Sequence, residues 1–176
     1  MPMYTQTKTT GLSLGSDLFL SERDTLRIGL AYQGHRLDDW WPASGAMMWP
    51  GTFWNIRDGQ RDRYAIFAEW EAKITPQWTG LLGVRHETVR MNAGDAQGYK
   101  TDITSAPMPG MDVANQIAES TAFNDANHKK TDRNWDFTAL VRFTPSDTQA
   151  YEIGVSRKTR FPNLYESPPV ATWSLP

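Results

Sequence analysis

The chain contains no cysteine, which removes disulfides, zinc-thiolate centres and thiol nucleophiles together. No stretch approaches the roughly 20 consecutive apolar residues of a membrane helix, and the mean hydropathy is -0.57. A helical span is therefore excluded. Basic runs are missing as well: 18 Lys plus Arg face 20 Asp plus Glu, which leaves no electrostatic footprint for nucleic acid. No Gly-x-Ser-x-Gly, Walker, His-Glu-x-x-His or Gly-x-Gly-x-x-Gly pattern occurs, and the three His residues lie far apart; the expectation is a protein that is not an enzyme. Glu69 and Glu71 share a strand face as a glycosidase pair does, but contact with water explains them more simply. Met1-Pro2-Met3-Tyr4 has no basic region, apolar core or cleavage site, so no signal peptide is expected. Either the protein is not exported or an export signal lies upstream.

What the chain does have is period-two alternation, repeated in pairs around short turns. Tyr64, Ile66, Ala68, Trp70, Ala72 and Ile74 alternate with Arg63, Glu69, Glu71 and Lys73. This length is close to the roughly 9 to 11 residues of a tilted membrane strand. Thr75-Pro76-Gln77 is a turn, since Pro presets a turn position and cannot continue a ladder; Leu82 and Val84 then return opposite Arg85 and Glu87, and the pattern fades near Met91. A second hairpin sets Trp135, Phe137, Ala139, Val141 and Phe143 before the turn Thr144-Pro145-Ser146-Asp147, then Tyr151, Ile153 and Val155. The first in the chain runs through Leu12, Leu14, Leu18 and Leu20, turns at Ser21-Glu22-Arg23-Asp24, and returns through Leu26, Ile28, Leu30 and Tyr32. The prediction is an all-β, antiparallel up-and-down meander of about six strands, with hairpins at about 11–35, 61–91 and 134–160.

Long connections are expected at about 36–60 and 92–133. Compact soluble domains rarely carry two such loops, whereas outer-membrane barrels have short periplasmic turns and long external loops. Polar average composition is no obstacle, because lipid-facing and lumen-facing residues alternate along each barrel strand. Tyr32, Tyr64 and Trp135 fall at the long-loop ends, and Trp78, Phe143 and Tyr151 at the short-turn ends, as two interfacial girdles require. Glu69, Glu71, Lys73, Arg85, Glu87, Asp136, Arg142 and Glu152 share the opposite parity and are expected to line a lumen. Known bacterial barrels have at least about eight strands, so six strands are expected to be part of a larger barrel. A soluble carbohydrate-binding β-sandwich is the alternative in water, and a passive porin or structural barrel the alternative in the membrane.

The segment from Tyr151 to Glu166, ending Arg160-Phe161-Pro162-Asn163-Leu164-Tyr165-Glu166, resembles a signature of TonB-dependent outer-membrane receptors. Arg160, Pro162, Leu164 and Glu166 carry its Arg-x-Pro-x-Leu-x-Glu spacing, and Thr144 to Gln149 resembles the preceding periplasmic turn. The stretch Leu37-Asp38-Asp39-Trp40-Trp41-Pro42, with Met47-Met48 and Thr52 to Gly59, is similar to an external loop of a subgroup that includes copper receptors. The resemblance covers the chain to Glu166. It implies a domain at 1–166 within a barrel of about 22 strands, located in the bacterial outer membrane, with lipid around it. It also implies TonB-energised uptake of a metal ion or metal chelate, copper or a siderophore, through a full-length receptor with a plug domain and TonB as partners. The TonB-binding box, the plug and an aromatic terminal strand have no counterpart in this sequence, and 167–176 reads as an atypical tail, as a truncation or frameshift would leave.

Two candidate ligand sets follow. Thioether sulfur prefers Cu(I) and imidazole suits copper, iron or zinc, which points to Met47 and Met48 with His35, and further to Met91, Met108, Met111 and His128. Methionines also fill gaps in flexible apolar loops without binding anything. Asp38, Asp39, Trp40, Trp41, Trp49, Phe53 and Trp54 form the second set: aromatics suit a bulky chelate and carboxylates attract a cationic one. A loop packed on its own tryptophans to close a barrel mouth has the same composition. No cofactor is expected beyond a transported metal.

Overall fold

A computed structural model describes residues 3–43, 51–98 and 113–164. Six strands follow one another: β1 (Tyr4–Phe19), β2 (Asp24–Trp41), β3 (Phe53–Lys73), β4 (Trp78–Asn92), β5 (Lys130–Ser146) and β6 (Gln149–Arg157). One helix, α1 (Val113–Asn124), stands between β4 and β5. Every strand pairs antiparallel with the next, in the order β1-β2-β3-β4-β5-β6. This is the expected meander. Among the described residues no second sheet packs on it, so the sandwich alternative does not describe the architecture.

The turns follow from local chemistry. At the first, Ser21 Oγ accepts from the backbone N–H groups of Arg23 and Asp24, both at 3.0 Å, and donates to Asp24 at 2.7 Å, an arrangement serine and aspartate favour at turns. At the second, Thr75 Oγ1 accepts from the backbone of Gln77 and Trp78. The third turn falls at Asp147-Thr148, later than the sequence indicates, because the ladder continues past a register irregularity between Phe143 and Ser146.

Strand lengths depart from expectation. β2 runs on to Trp41 and β3 begins at Phe53, so most of the stretch expected as a loop at 36–60 is paired sheet. β1 begins at Tyr4, well before residue 11, and the stretch 92–133 contains α1 and the start of β5. Backbone pairing between β2 and β3 supplies the ladder that local hydropathy does not announce.

The register puts apolar residues on one face. Leu12, Leu30, Ile66, Leu82, Trp135 and Ile153 are all exposed there, and water would not leave so continuous a surface uncovered. The opposite face carries the charges. Lipid outside and lumen inside is the arrangement that satisfies both. Tyr32 and Tyr64 pair at 5.2 Å at one edge of the apolar band, and Trp78 stacks on Phe143 at 4.5 Å at the other, with Tyr151 beside it. Along β4 from Trp78 to Thr88, the partner of Tyr64, about 33 Å of strand tilted by about 40° spans roughly 25 Å, the height of an outer-membrane apolar band.

Candidate functional site

The lumen face is polarised along its length. Near the short turns Arg27 bridges Glu69 at 2.9 Å and Glu71 at 2.8 Å, with Asp17 at 3.7 Å, so three carboxyls surround one guanidinium. Higher up the ratio reverses. Glu87, only 5 % exposed, receives Arg63 through Nε and Nη2 and Arg85 through Nε at 3.1 Å. Beside the upper layer lies a recess of about 310 Å³ whose lining includes Gly11, Ser13, Ala31 and Ala65 with Gln33, Arg63 and Arg85. Small side chains make the floor and cations the rim. Arg142 and Glu152 pair on the same face near the third turn, and Asp136 accepts the backbone N–H of Thr159 at 2.8 Å.

Above the charges the lumen face turns apolar, which the sequence reading did not foresee. Leu37, Ile56, Val89, Met91, Phe161 and Leu164 form one buried cluster. The chain leaves β6 at Arg157 and turns inward, so that Phe161 and Leu164 seat against β2, β3 and β4. Gly59 makes room: a Cβ there would meet Ile56 at 2.7 Å and the Leu37 carbonyl at 2.8 Å, with Leu164 at 3.5 Å. Of the motif residues, Arg160, Pro162 and Leu164 thus follow the last strand as an inward strap, while Glu166 lies outside the described residues. A signal was present, since Val89 and Met91 continue the lumen parity of Arg85 and Glu87.

The aromatic and acidic set sits on the raised ends of β2 and β3 and divides between two faces. Trp40 stacks between Tyr4 at 6.0 Å and Trp54 at 5.4 Å on the outer face, where Arg57 lies over the Trp54 ring. Trp41 meets Phe53 edge-on at 5.2 Å on the lumen side. Phe53 is buried. Alternation divides the neighbours, and the two irregularities in the β2–β3 register, after Leu37 and after Asp39, reverse only Ile56 between them, because each extra residue on β3 reverses the side to which the next ones point. Asp58, at φ 49, occupies one of them; Asp is among the few residues that adopt the left-handed region readily.

The two aspartates are engaged by the protein. Asp39 is fully buried, accepting from Thr5 Oγ1 and Asn55 Nδ2, both at 2.9 Å. Asp38 accepts the backbone N–H of Asp58 at 2.8 Å. His35 lies on the lumen side with Nδ1 3.0 Å from Thr9 Oγ1, and the ring nitrogens of His128 face the carbonyl oxygens of Ala93 and Phe123. Among the described residues no group of three or more His, Asp or Glu side chains is placed to hold a metal. Met47, Met48, Trp49, Met108 and Met111 fall outside the described residues.

A single meander with a lipid-facing apolar band, two aromatic girdles and a charged inner face defines an outer-membrane β-barrel, of which these six strands are one part. Residues 2–172 match the family described as TonB dependent receptor-like, beta-barrel, and the chain belongs to that family. The match runs past Glu166 into the stretch read as an atypical tail. Members are bacterial outer-membrane receptors for TonB-energised uptake, with a plug domain and TonB in the full-length protein; they are transporters rather than enzymes. Searches of curated proteins and of solved structures return no match.

Proposed function

We propose that this barrel segment belongs to a receptor for a bulky metal chelate of the siderophore type, rather than for a bare copper ion. The observation that supports this reading is Trp41, half-buried on the lumen side of the raised hairpin and edge-on to the buried Phe53, on the same face as the cation-rimmed recess. An indole ring and a few cations on one face suit an organic chelate that carries anionic oxygens. Copper would call for a convergent set of soft donors. Of the described members of that set, His35 is directed to Thr9, Met91 is buried in the apolar cluster and His128 faces the carbonyl oxygens of Ala93 and Phe123.

The reading is tested on the intact receptor in detergent by titrating a ferric hydroxamate, a ferric catecholate and Cu(I). The expected result is that a ferric chelate binds and that Trp41→Ala weakens it about tenfold, roughly 1.4 kcal/mol. Replacing Met47 and Met48 by Leu leaves that affinity unchanged. Binding of Cu(I) alone, abolished by the methionine replacements, overturns the chelate reading in favour of copper.

A further inference from the structure

His128 stands in the long connection between β4 and β5, and its ring joins two segments. Beyond Asn92 the chain continues along the raised end of β3. Gly94 donates its backbone N–H to the Arg57 carbonyl at 2.7 Å, and Trp54 and Gln97 exchange backbone hydrogen bonds at 2.7 and 3.2 Å. That segment is the fixed half. The other half is the C-terminal end of α1. Asn124 ties the two by a reciprocal pair, accepting from the Ala96 N–H at 2.8 Å and donating to the Ala96 carbonyl at 3.0 Å. His128 makes a second tie, with Nδ1 3.0 Å from the Ala93 carbonyl oxygen and Nε2 2.6 Å from that of Phe123.

The two ties differ in what they ask of a proton. A side-chain amide holds both a donor and an acceptor and satisfies Ala96 at any pH. A carbonyl oxygen only accepts, and a neutral imidazole has one N–H, so a neutral His128 sets the lone pair of one ring nitrogen against an oxygen. Both bonds form only in the imidazolium, which donates from each nitrogen. Two further contacts favour that form. The Phe123 ring stacks on the imidazole, with centroids 4.3 Å apart and planes at 17°, which places a cation over an aromatic face. The Phe123 carbonyl also belongs to the last turn of α1, where the helix dipole favours positive charge.

No carboxylate supplies a competing explanation. The charged groups on the elements around the ring are Asp58 on β3, Asp95 on the fixed segment, Glu119 and Asp125 on and after α1, and Lys129 and Lys130 next along the chain. Arg57 is held over the Trp54 ring and Lys130 lies 3.5 Å from Asp132. None of them forms an ion pair with His128 among the described residues.

We infer that His128 is a proton-operated clasp. Its imidazolium joins the end of α1 to the segment after β4, and loss of the proton releases one of its two bonds while Asn124 keeps its own. The sign follows from the donors: the clasp is whole at acid pH, where the imidazole is charged, and loosens as the pH rises through the imidazole range. The end of α1 is thus held more firmly to the raised end of the sheet in acid than in neutral medium. The clasp is separate from the lumen and does not depend on which cargo the receptor carries.

The test is hydrogen–deuterium exchange of the intact receptor in detergent at about pH 5.5 and about pH 8, a range in which imidazole titrates and exposed carboxylates and ammonium groups do not. Exchange is read as protection factors, which divide out its intrinsic dependence on pH. Protection of the Ala126 amide, which donates to the Phe123 carbonyl at 3.0 Å, is expected to fall roughly tenfold from the lower pH to the higher, the effect of one charge-assisted hydrogen bond. His128→Gln is expected to show the looser level at both pH values. Asn124→Ala lowers protection about fivefold at both and keeps the fall, because it removes only the tie that needs no proton. Heat-shifted electrophoretic mobility reports whether each variant folds; should His128→Gln not fold, the parent is followed through the range, where its protection must fall as a one-proton titration. Equal protection of the parent at the two pH values, a rise in place of the fall, or a fall that persists in folded His128→Gln overturns the proposal.

Discussion

The same two strands, β2 and β3, behave differently inside the membrane band and above it. From Asp24 with Ala72 to Leu37 with Gly59 their register is unbroken and side chains alternate strictly, and the outward face is apolar from Leu26 and Trp70 up to Tyr32 and Tyr64. Above Leu37 the register shifts twice, Asp58 takes a positive φ, Asp39 is buried, and rings point to both sides. Hydrocarbon explains the contrast. In lipid an unpaired backbone group has no water to turn to, so the ladder must stay regular. Above the band, side chains such as Asp38 can satisfy the groups that a bulge releases, and the bulge becomes a means of aiming residues.

The largest effect that would sharpen this comparison comes from moving one charge between the regions. Ile66→Arg, on the exposed apolar face within the band, is expected to destabilise the intact barrel by about 3 kcal/mol. Trp54→Arg at the raised end, which forfeits ring contacts with Trp40, costs about 1 kcal/mol. Denaturant unfolding in detergent micelles, followed by tryptophan fluorescence, measures both. Equal losses would erase the distinction between the two regions.

A smaller effect lies within the raised end. Asp39→Ala removes the acceptor of both Thr5 and Asn55 and is expected to cost about 2 kcal/mol, with protease sensitivity rising around residues 39–55. If cleavage in that stretch stays at the parent rate, Asp39 is not what holds the hairpin. Smallest of all, Asp58→Val places a β-branched residue at φ 49 and should cost about 1 kcal/mol, whereas Asp58→Gly should be close to neutral. A valine variant as stable as the glycine one would show that the bulge relaxes freely.

Ahead of any structure, the barrel class could be read from residues because its signals are local. Tyr64 to Ile74 alternates within one strand, and Thr75-Pro76-Gln77 stops it by the chemistry of three neighbours. The two sides of the sheet follow from parity alone within the band, and the family was legible in Arg160, Pro162 and Leu164. The aromatic and acidic set was less so. Asp38, Asp39, Trp40, Trp41, Phe53 and Trp54 look like a loop because their alternation is broken, yet bulged pairing keeps them in the sheet.

Composition and period two by themselves determined that this protein is a meander with one face for lipid and one for charge. Only the tertiary structure decided how far β2 and β3 rise, which side Ile56 faces, and where the strap after β6 goes. The physical reason is one of range. A strand's alternation is set residue by residue, but a bulge exists only relative to a partner strand. The seating of Phe161 and Leu164 against Leu37, Ile56, Val89 and Met91 likewise depends on four segments far apart in sequence that the register brings to one place.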